Sequence, residues 1–515
     1  MGIPSYFRRI IQKYPGIVTK NKPKSNKLYF DFNCLIYRCI RAKDMPEWTR
    51  ETHVSWETCL IKEVVKTVKE VVREAGNPKK IYLGIDGVVP MAKIRQQRVR
   101  RFKSVWLKSP PSGQQKSPSE KQKESWDSNS ITPGTEFMDK LFRGLEGHGW
   151  EVSGVHEPGE GEHKIMNKLR SEPLNEKDDV IVYGLDADLI LLSILTAEKT
   201  GKRIWLLREE QEFSGGGLRQ DPDGEQLYTF MNLEELKKRI GIHSYRDALN
   251  YIGLMSLMGN DFLPHSITHK LNDDGHEYVM REFETMKRNP KSLLVGDDEK
   301  ININNLKEIC KRWSADESDK MFLMIKKKRE QAGRGVLKGM EEIEGLPLEW
   351  KVESCLIDEE GQLIDGWRDV YYKEFIKLEK ERVCKEYIYG CQWIIDYYTG
   401  KEVDMKWMMP TWVPPLWKDI GNYDIKSQGE LTTSSQRGIE VYDLKPQEQL
   451  AMVLPKESWG LIRDSNLRKL PEKAPQYWPT KFSFFSVGRK WLWECEASLP
   501  SLSADRMRSI LREND

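Results

Sequence analysis

The chain has 515 residues, 38% hydrophobic and 31% charged, and its 82 basic and 80 acidic side chains leave a formal net charge of +2. That length exceeds one compact core and points to two to four domains. No apolar run approaches the ~20 residues of a membrane-spanning helix. The first residues lack a signal-peptide core, and Tyr6 stands where a myristoylation signal wants Ser or Thr. A soluble intracellular protein with no membrane partner is expected. The eight cysteines include no C-x-x-C pair, which excludes a zinc ribbon or a thioredoxin-like site.

Ile3, Phe7, Ile10, Ile11 and Tyr14 recur at helical spacing and predict an amphipathic first helix. Leu28-Tyr29-Phe30 reads as a strand ending at Asp31. Leu60, Val64, Val68 and Val71 mark a helix that stops at Gly76-Asn77-Pro78, and a second strand over 81–85 ends at Asp86. Residues 90–108 carry Lys93, Arg95, Arg98, Arg100, Arg101, Lys103 and Lys108 without one acidic residue, so an anionic partner is expected. Residues 108–130, rich in Ser, Pro, Lys and Gln, read as a mobile insertion. A third strand over 180–184 leads to Asp186 and Asp188. Alternating strands and helices make residues 1–284 an α/β core. Residues 285–365 read as a connector and 366–515 as a second, aromatic-rich domain holding nine of the 17 tryptophans.

Parallel α/β sheets bind ligands beyond the carboxyl ends of their strands, where Asp31, Asp86, Asp186 and Asp188 should converge. Glu160 and Glu162, on the turn Pro158-Gly159-Glu160-Gly161-Glu162, and Asp261, in Gly259-Asn260-Asp261, complete a set of seven carboxylates. Taken singly, an aspartate after a strand is a turn or helix cap; as a set, these repel one another unless cations neutralise them. Oxygen ligands without paired Cys or His select Mg²⁺ or Mn²⁺, and two such ions would form a two-metal phosphodiesterase site. His163, with no second His or Cys near it, reads as structural. Lys93, Gln97, Arg100 and Arg101, at i, i+4, i+7 and i+8, share one face of a helix that opens near this cleft. That face suits a phosphate, although a solvated basic face explains the same charges.

Longer motifs now stand together: Met1-Gly2-Ile3-Pro4, Asp31-Phe32-Asn33, Asp86-Gly87-Val88-Val89-Pro90, Ile131-Thr132-Pro133-Gly134-Thr135-Glu136-Phe137, Gly159-Glu160-Gly161-Glu162-His163-Lys164, Tyr183-Gly184-Leu185-Asp186-Ala187-Asp188 and Gly259-Asn260-Asp261-Phe262-Leu263-Pro264-His265. In this order they resemble the motifs of the XRN family of 5′→3′ exoribonucleases. The likeness continues through Tyr389-Gly390-Cys391-Gln392-Trp393 and Tyr477-Trp478-Pro479-Thr480. It implies a PIN/FEN-like nuclease core, with a central, mainly parallel sheet and flanking helices, braced by the second conserved region. The implied activity is processive removal of nucleotides from single-stranded RNA bearing a 5′ monophosphate, in mRNA decay or RNA surveillance.

The resemblance also implies that Asp31, Asp86, Glu160, Glu162, Asp186, Asp188 and Asp261 hold the metals and that Lys93, Gln97, Arg100 and Arg101 hold the terminal phosphate. Pro90 and the first helix match the family's steric gate. Tyr37 replaces the family's stacking His, and its stacking Trp cannot be matched by motif. Nothing past residue 515 supplies the long extension of the large family members, so a minimal catalytic unit, working as a monomer, is expected. The competing readings are a FEN-like, structure-specific DNA nuclease and a catalytically silent RNA-binding adaptor on the same fold. A cytoplasmic location is expected, with Lys326-Lys327-Lys328-Arg329 as the only hint of a nuclear one.

Overall fold

The structure, a computed structural model, describes residues 6–108, 125–173, 179–184, 186–210, 219–220, 226–331, 353–424, 442–489 and 494–513. Strands β1 (Val18–Thr19), β2 (Ser25–Asp31), β3 (Lys80–Gly84), β4 (Glu151–Ser153), β5 (Asp179–Tyr183), β6 (Ile204–Glu209) and β7 (Tyr228–Asn232) form one sheet in the order β1-β7-β6-β5-β2-β3-β4. Five of them, β4 through β6 across the middle, run parallel, and β7 runs against both of its neighbours. The chain leaves β2 toward β3 and β4 and returns to the other edge of β2 for β5. The order therefore reverses beside β2, and in open α/β sheets ligands bind outside the carboxyl ends at such a point. Leu28, Tyr29 and Phe30 are all buried, as expected of a strand covered on both faces.

On one face, Leu28, Phe30 and Leu83 pack under the helices His53–Glu74 and Glu136–Leu145. On the other, Tyr29, Val180 and Val182 meet the helices Ala187–Thr200 and Tyr245–Ser256. That second core runs on without a break through Leu306, Ile309, Trp313 and Met324 into Tyr387, Trp393 and Trp417. The segments that composition separates into core, connector and second region thus share one interior. A third cluster joins Val89, Ile94 and Phe102 of the basic helix Met91–Lys108 to Leu450, Val453 and Trp478.

Two expectations need amending. Residues 109–124 of the expected mobile insertion lie outside the described residues, but its end is ordered. Trp126 is buried between Trp56 and Phe137, with ring centroids 5.2 and 4.8 Å away. A single large aromatic ring in a polar stretch is enough to anchor it, which a composition average conceals. Second, the basic run at 326–329 is not uniformly solvated: Lys328 is buried, pairs with Glu353 at 2.8 Å and donates to the Ser486 carbonyl. Of the C-terminal tryptophans, 367, 393, 407, 417, 459 and 478 are buried and Trp412 is half-buried; 491 and 493 lie outside the described residues.

Candidate active site

Asp31 closes β2 in register with Gly84 of β3. The helix Gly161–Ser171 abuts this point so closely that a Cβ on Gly84 or Gly161 would collide with the other's carbonyl oxygen. Asp86 accepts the Gly161 N–H at 2.8 Å, and its own N–H donates to the Asn33 side chain at 3.2 Å. This carboxylate does act as a helix cap, and capping draws it into the cleft rather than away from it. The loops on either side are tied by Gly87 N–H to the Gly159 carbonyl at 2.9 Å and Gly159 N–H to the Val88 carbonyl at 2.7 Å. Glu160 takes the N-cap position and Glu162 the first turn, where the helix dipole favours negative charge. Asp186 and Asp188 repeat that arrangement on the helix Ala187–Thr200. Asp261 follows a turn in which Gly259 takes a positive φ of 91° and the Asn260 side chain accepts the N–H groups of Phe262 and Leu263.

Lys93 stands among these carboxylates, 2.5 Å from Glu160 and 2.7 Å from Asp261. Burial works against its charge, but Asp261 and Glu160 outweigh it and hold the ammonium well above its ordinary range. Asp261 is the counterpart: burial opposes ionisation, yet Lys93 keeps it below the usual carboxylate range. Three other carboxylates go the opposite way. Burial, then Asp86 and Asp186, push Asp31 well up; burial and Glu160 do so to Glu162; burial and Asp261 raise Asp188 to about 7. These mutual effects make the seven residues one electrostatic unit, and one ammonium is too little to neutralise it.

The donor set fits a hard divalent cation. Glu162 Oε2 and Asp188 Oδ1 are buried and accept no hydrogen bond among the described residues. Ligand atoms of Glu160, Glu162 and His163 lie within 4.8 Å of one another. Burial and the cations Arg170 and Lys93 push His163 well below its ordinary value, so its ring is neutral and offers a lone pair. Sequence reasoning left this histidine out because it has no partner His in the chain; its companions are glutamates.

The basic helix divides its charges. Arg95 donates to the Met409 and Thr411 carbonyls, Arg98 to those of Met452 and Tyr477, and Lys103 to that of Cys495 at 2.6 Å. These cations fasten the C-terminal region. Arg101 is buried and donates to Asn129 Oδ1 at 2.8 Å, Gln97 is buried with its Oε1 unpartnered among the described residues, and Arg100 is exposed. Of the four residues expected to hold a phosphate, Lys93 makes the direct ion pairs with the acidic cluster. Tyr37 lies on the helix Asn33–Cys39 with 39% of its surface exposed and within electrostatic reach of Arg101. Pro90 is buried at the start of the basic helix, its carbonyl accepting the N–H groups of Lys93 and Ile94.

The helix Lys380–Thr399 adds two residues that sequence reasoning missed. Tyr397 donates to Glu160 Oε1 at 2.9 Å and packs on His163 with ring centroids 3.9 Å apart. Beside it, the buried Tyr398 hydroxyl is pushed up by burial and then by Asp188 and Glu162. In sequence both belong to an aromatic stripe with Trp393 that reads as core, and only the fold shows which end meets the carboxylates.

A mainly parallel sheet whose switch point gathers seven carboxylates beside a basic helix is the fold of a PIN-like nuclease domain. Residues 1–210 match the family model described as the XRN 5′-3′ exonuclease N-terminus. The chain is 29% identical over 450 residues to 5′-3′ exoribonuclease 1 of Saccharomyces cerevisiae, a match covering 74% of this chain and 28% of the yeast protein. It is 30% identical over 406 residues to 5′-3′ exoribonuclease 2 of Arabidopsis thaliana, covering 60% of this chain and 39% of the plant protein. With 5′-3′ exoribonuclease 2 of Gallus gallus the identity is 24% over 680 residues, covering 100% of this chain and 70% of the relative. Most of these relatives are thus matched over less than half their length. The first 210 residues thus carry the XRN match, and the likeness to these exoribonucleases extends beyond them.

Proposed function

We propose that the chain is a 5′→3′ exoribonuclease that degrades single-stranded RNA with a 5′ monophosphate, in mRNA decay or RNA surveillance. The observation that carries this reading is the continuity of opposite charges: Lys93 touches Glu160 and Asp261, and Gln97 and Arg101 follow it along one helix face. A chain end held on that face lies next to the carboxylates. Divalent cations of the Mg²⁺ or Mn²⁺ kind, two in number, held by Asp31, Asp86, Glu160, Glu162, Asp186, Asp188 and Asp261, supply the positive charge that phosphodiester hydrolysis requires.

The remaining work falls to the chain's own groups. Lys93, Gln97, Arg100 and Arg101 hold the terminal phosphate through charge-assisted hydrogen bonds. Lys93, paired with Glu160 and Asp261, is the member of this set that stands nearest the carboxylates. Tyr37 stacks on a base, and Pro90 with the first helix narrows the entrance to one strand. Tyr397 fixes the Glu160 carboxylate.

The test presents the protein and Mg²⁺ with matched RNAs carrying 5′-monophosphate, 5′-hydroxyl or 5′-triphosphate ends, alongside a DNA flap. Stepwise release of mononucleotides from the monophosphorylated RNA, at least tenfold faster than from the others and abolished by EDTA, is expected. Preferred cleavage of the flap identifies a FEN-like enzyme instead, and binding without cleavage identifies an adaptor.

A further inference from the structure

Asp261 borders a second space. On its far side opens a cavity of about 740 Å³, walled by the basic helix, the turn at 260–266, residues 408–412 and the segments at 489 and 494–496. The helix contributes Ala92, Gln96, Val99 and Lys103, at i, i+4, i+7 and i+11. Lys93, Gln97 and Arg101 belong to the neighbouring face and do not line it; Arg100 stands on the boundary. The volume lies within the range of small-ligand pockets.

The wall chemistry narrows the ligand. Gln96, Asn260 and Arg489 line this cavity, and each keeps one buried side-chain atom, Oε1, Nδ2 and Nε respectively, without a hydrogen-bond partner among the described residues. Buried polar atoms are costly to leave unpaired, and a ligand with both donors and acceptors satisfies them if these side chains turn toward the cavity. Trp412, with the Arg95 guanidinium stacked 3.6 Å from its ring centre, and Phe262 offer flat apolar surface. Arg95, Lys103 and Lys270 also line the wall but donate to backbone carbonyls, while Arg100 and Arg489 bring cations to a wall that carries Asp261, Glu494 and Glu496 as well. A planar heterocycle with polar edges, joined to a phosphate that meets Arg100 or Arg489, fits the aromatic and cationic parts of this wall.

We propose that this cavity binds a nucleoside 5′-monophosphate and, resting on the exonuclease reading, that it receives the nucleotide released in each cycle. In that reaction water adds at the phosphorus of the first internal phosphodiester, the bond to the 3′ oxygen of the terminal nucleotide breaks, and that oxygen leaves protonated. The products are a nucleoside 5′-monophosphate and an RNA with a new 5′ phosphate. The new end must take the place on Lys93, Gln97 and Arg101 that the product still fills, while the rest of the strand occupies the entrance. A side chamber that shares Asp261 and Arg100 with the reaction site lets the product move aside.

The experiment titrates AMP into the metal-free protein by calorimetry, with adenosine and ribose 5-phosphate as comparators. Saturable AMP binding at least tenfold tighter than either comparator is expected. Trp412→Ala and Arg489→Ala each weaken it tenfold or more, and Trp412→Phe restores most of it. Should Trp412→Ala fail to fold, Ser104→Trp, at an exposed point of the cavity wall, weakens AMP binding by obstruction. No saturable AMP binding, or binding kept in the cavity variants, overturns the proposal. RNA hydrolysis by the wild type is measured in parallel with Mg²⁺: hydrolysis without AMP binding overturns the cavity site alone, and no hydrolysis overturns the exonuclease reading and the product role with it.

Discussion

The helix Met91–Lys108 presents two sets of cations to two very different surroundings. Toward the sheet, Lys93 meets carboxylates and is held above its ordinary range; toward the C-terminal region, Arg95 and Arg98 meet carbonyls, and burial lowers them to about 10 and about 9. Both sets are buried and both are hydrogen-bonded. The difference lies in the partner: a carboxylate favours the cation strongly enough to overcome desolvation, and a neutral carbonyl satisfies geometry without fully compensating the charge. A dense basic run thus combines a cation of the acidic cleft with structural fasteners, and proximity in sequence does not distinguish them.

The sharpest way to test that division is to disable the acidic side. Asp188→Ala is expected to slow RNA hydrolysis by roughly a thousandfold or more, about 4 kcal/mol of barrier, with RNA retention on filters changed less than threefold. Full activity in this variant removes the carboxylates from the chemistry. Next come the two arginines. Arg98→Ala leaves the Met452 and Tyr477 carbonyls without their donor and should cost about 3 kcal/mol of stability, read as a lowered melting temperature. Arg101→Ala should cut activity on monophosphorylated RNA by about tenfold to a hundredfold, ~1.5–3 kcal/mol, and barely alter the slow rate on 5′-hydroxyl RNA. If Arg98→Ala instead acts on end preference and Arg101→Ala on melting alone, the roles are reversed.

The smallest effect extends the rule to a ring with a neutral partner. His276 sits 3.2 Å from the Tyr251 hydroxyl, which in turn meets Tyr6 at 3.0 Å, and burial lowers it to about 4. Its unfolded-state value is near 6.5, so the unfolded chain binds the extra proton between those limits. The stability it protects is complete above pH ~6.5 and lost as pH falls toward 4. Between pH 7.5 and 5.5 this amounts to about 1 kcal/mol. His276→Gln should flatten that part of the stability-against-pH curve, and an unchanged slope assigns the loss to other groups.

Much of the sheet and all seven carboxylates were legible because each follows a local rule: β-branched runs make strands, and acids in glycine turns cap the next helix. Asp31, Asp86, Asp186 and Asp188 lie where strand ends put them, and Glu162 where a helix first turn favours it. What stayed hidden depends on packing between distant segments. Nothing around Arg98 separates it from Arg101, since their partners come from different parts of the fold. Nothing local tells Tyr397 from the other rings of its helix, and Trp126 disappears into a polar average. Within residues 285–365, Leu306, Ile309 and Trp313 are buried on an amphipathic helix whose charged outer face dominates its composition.

The bond from Tyr397 to Glu160 spans 237 positions of chain, and that interval is also a delay. At 5–20 residues per second, roughly 10–50 s of synthesis separate the appearance of the carboxylate from that of its hydroxyl partner. The loop at 87–91 waits longer still, since Val89 N–H finds its acceptor on Gln449. On the ribosome, the growing chain therefore holds Glu160 and the 87–91 loop long before the partners that fasten them, Tyr397 and Gln449.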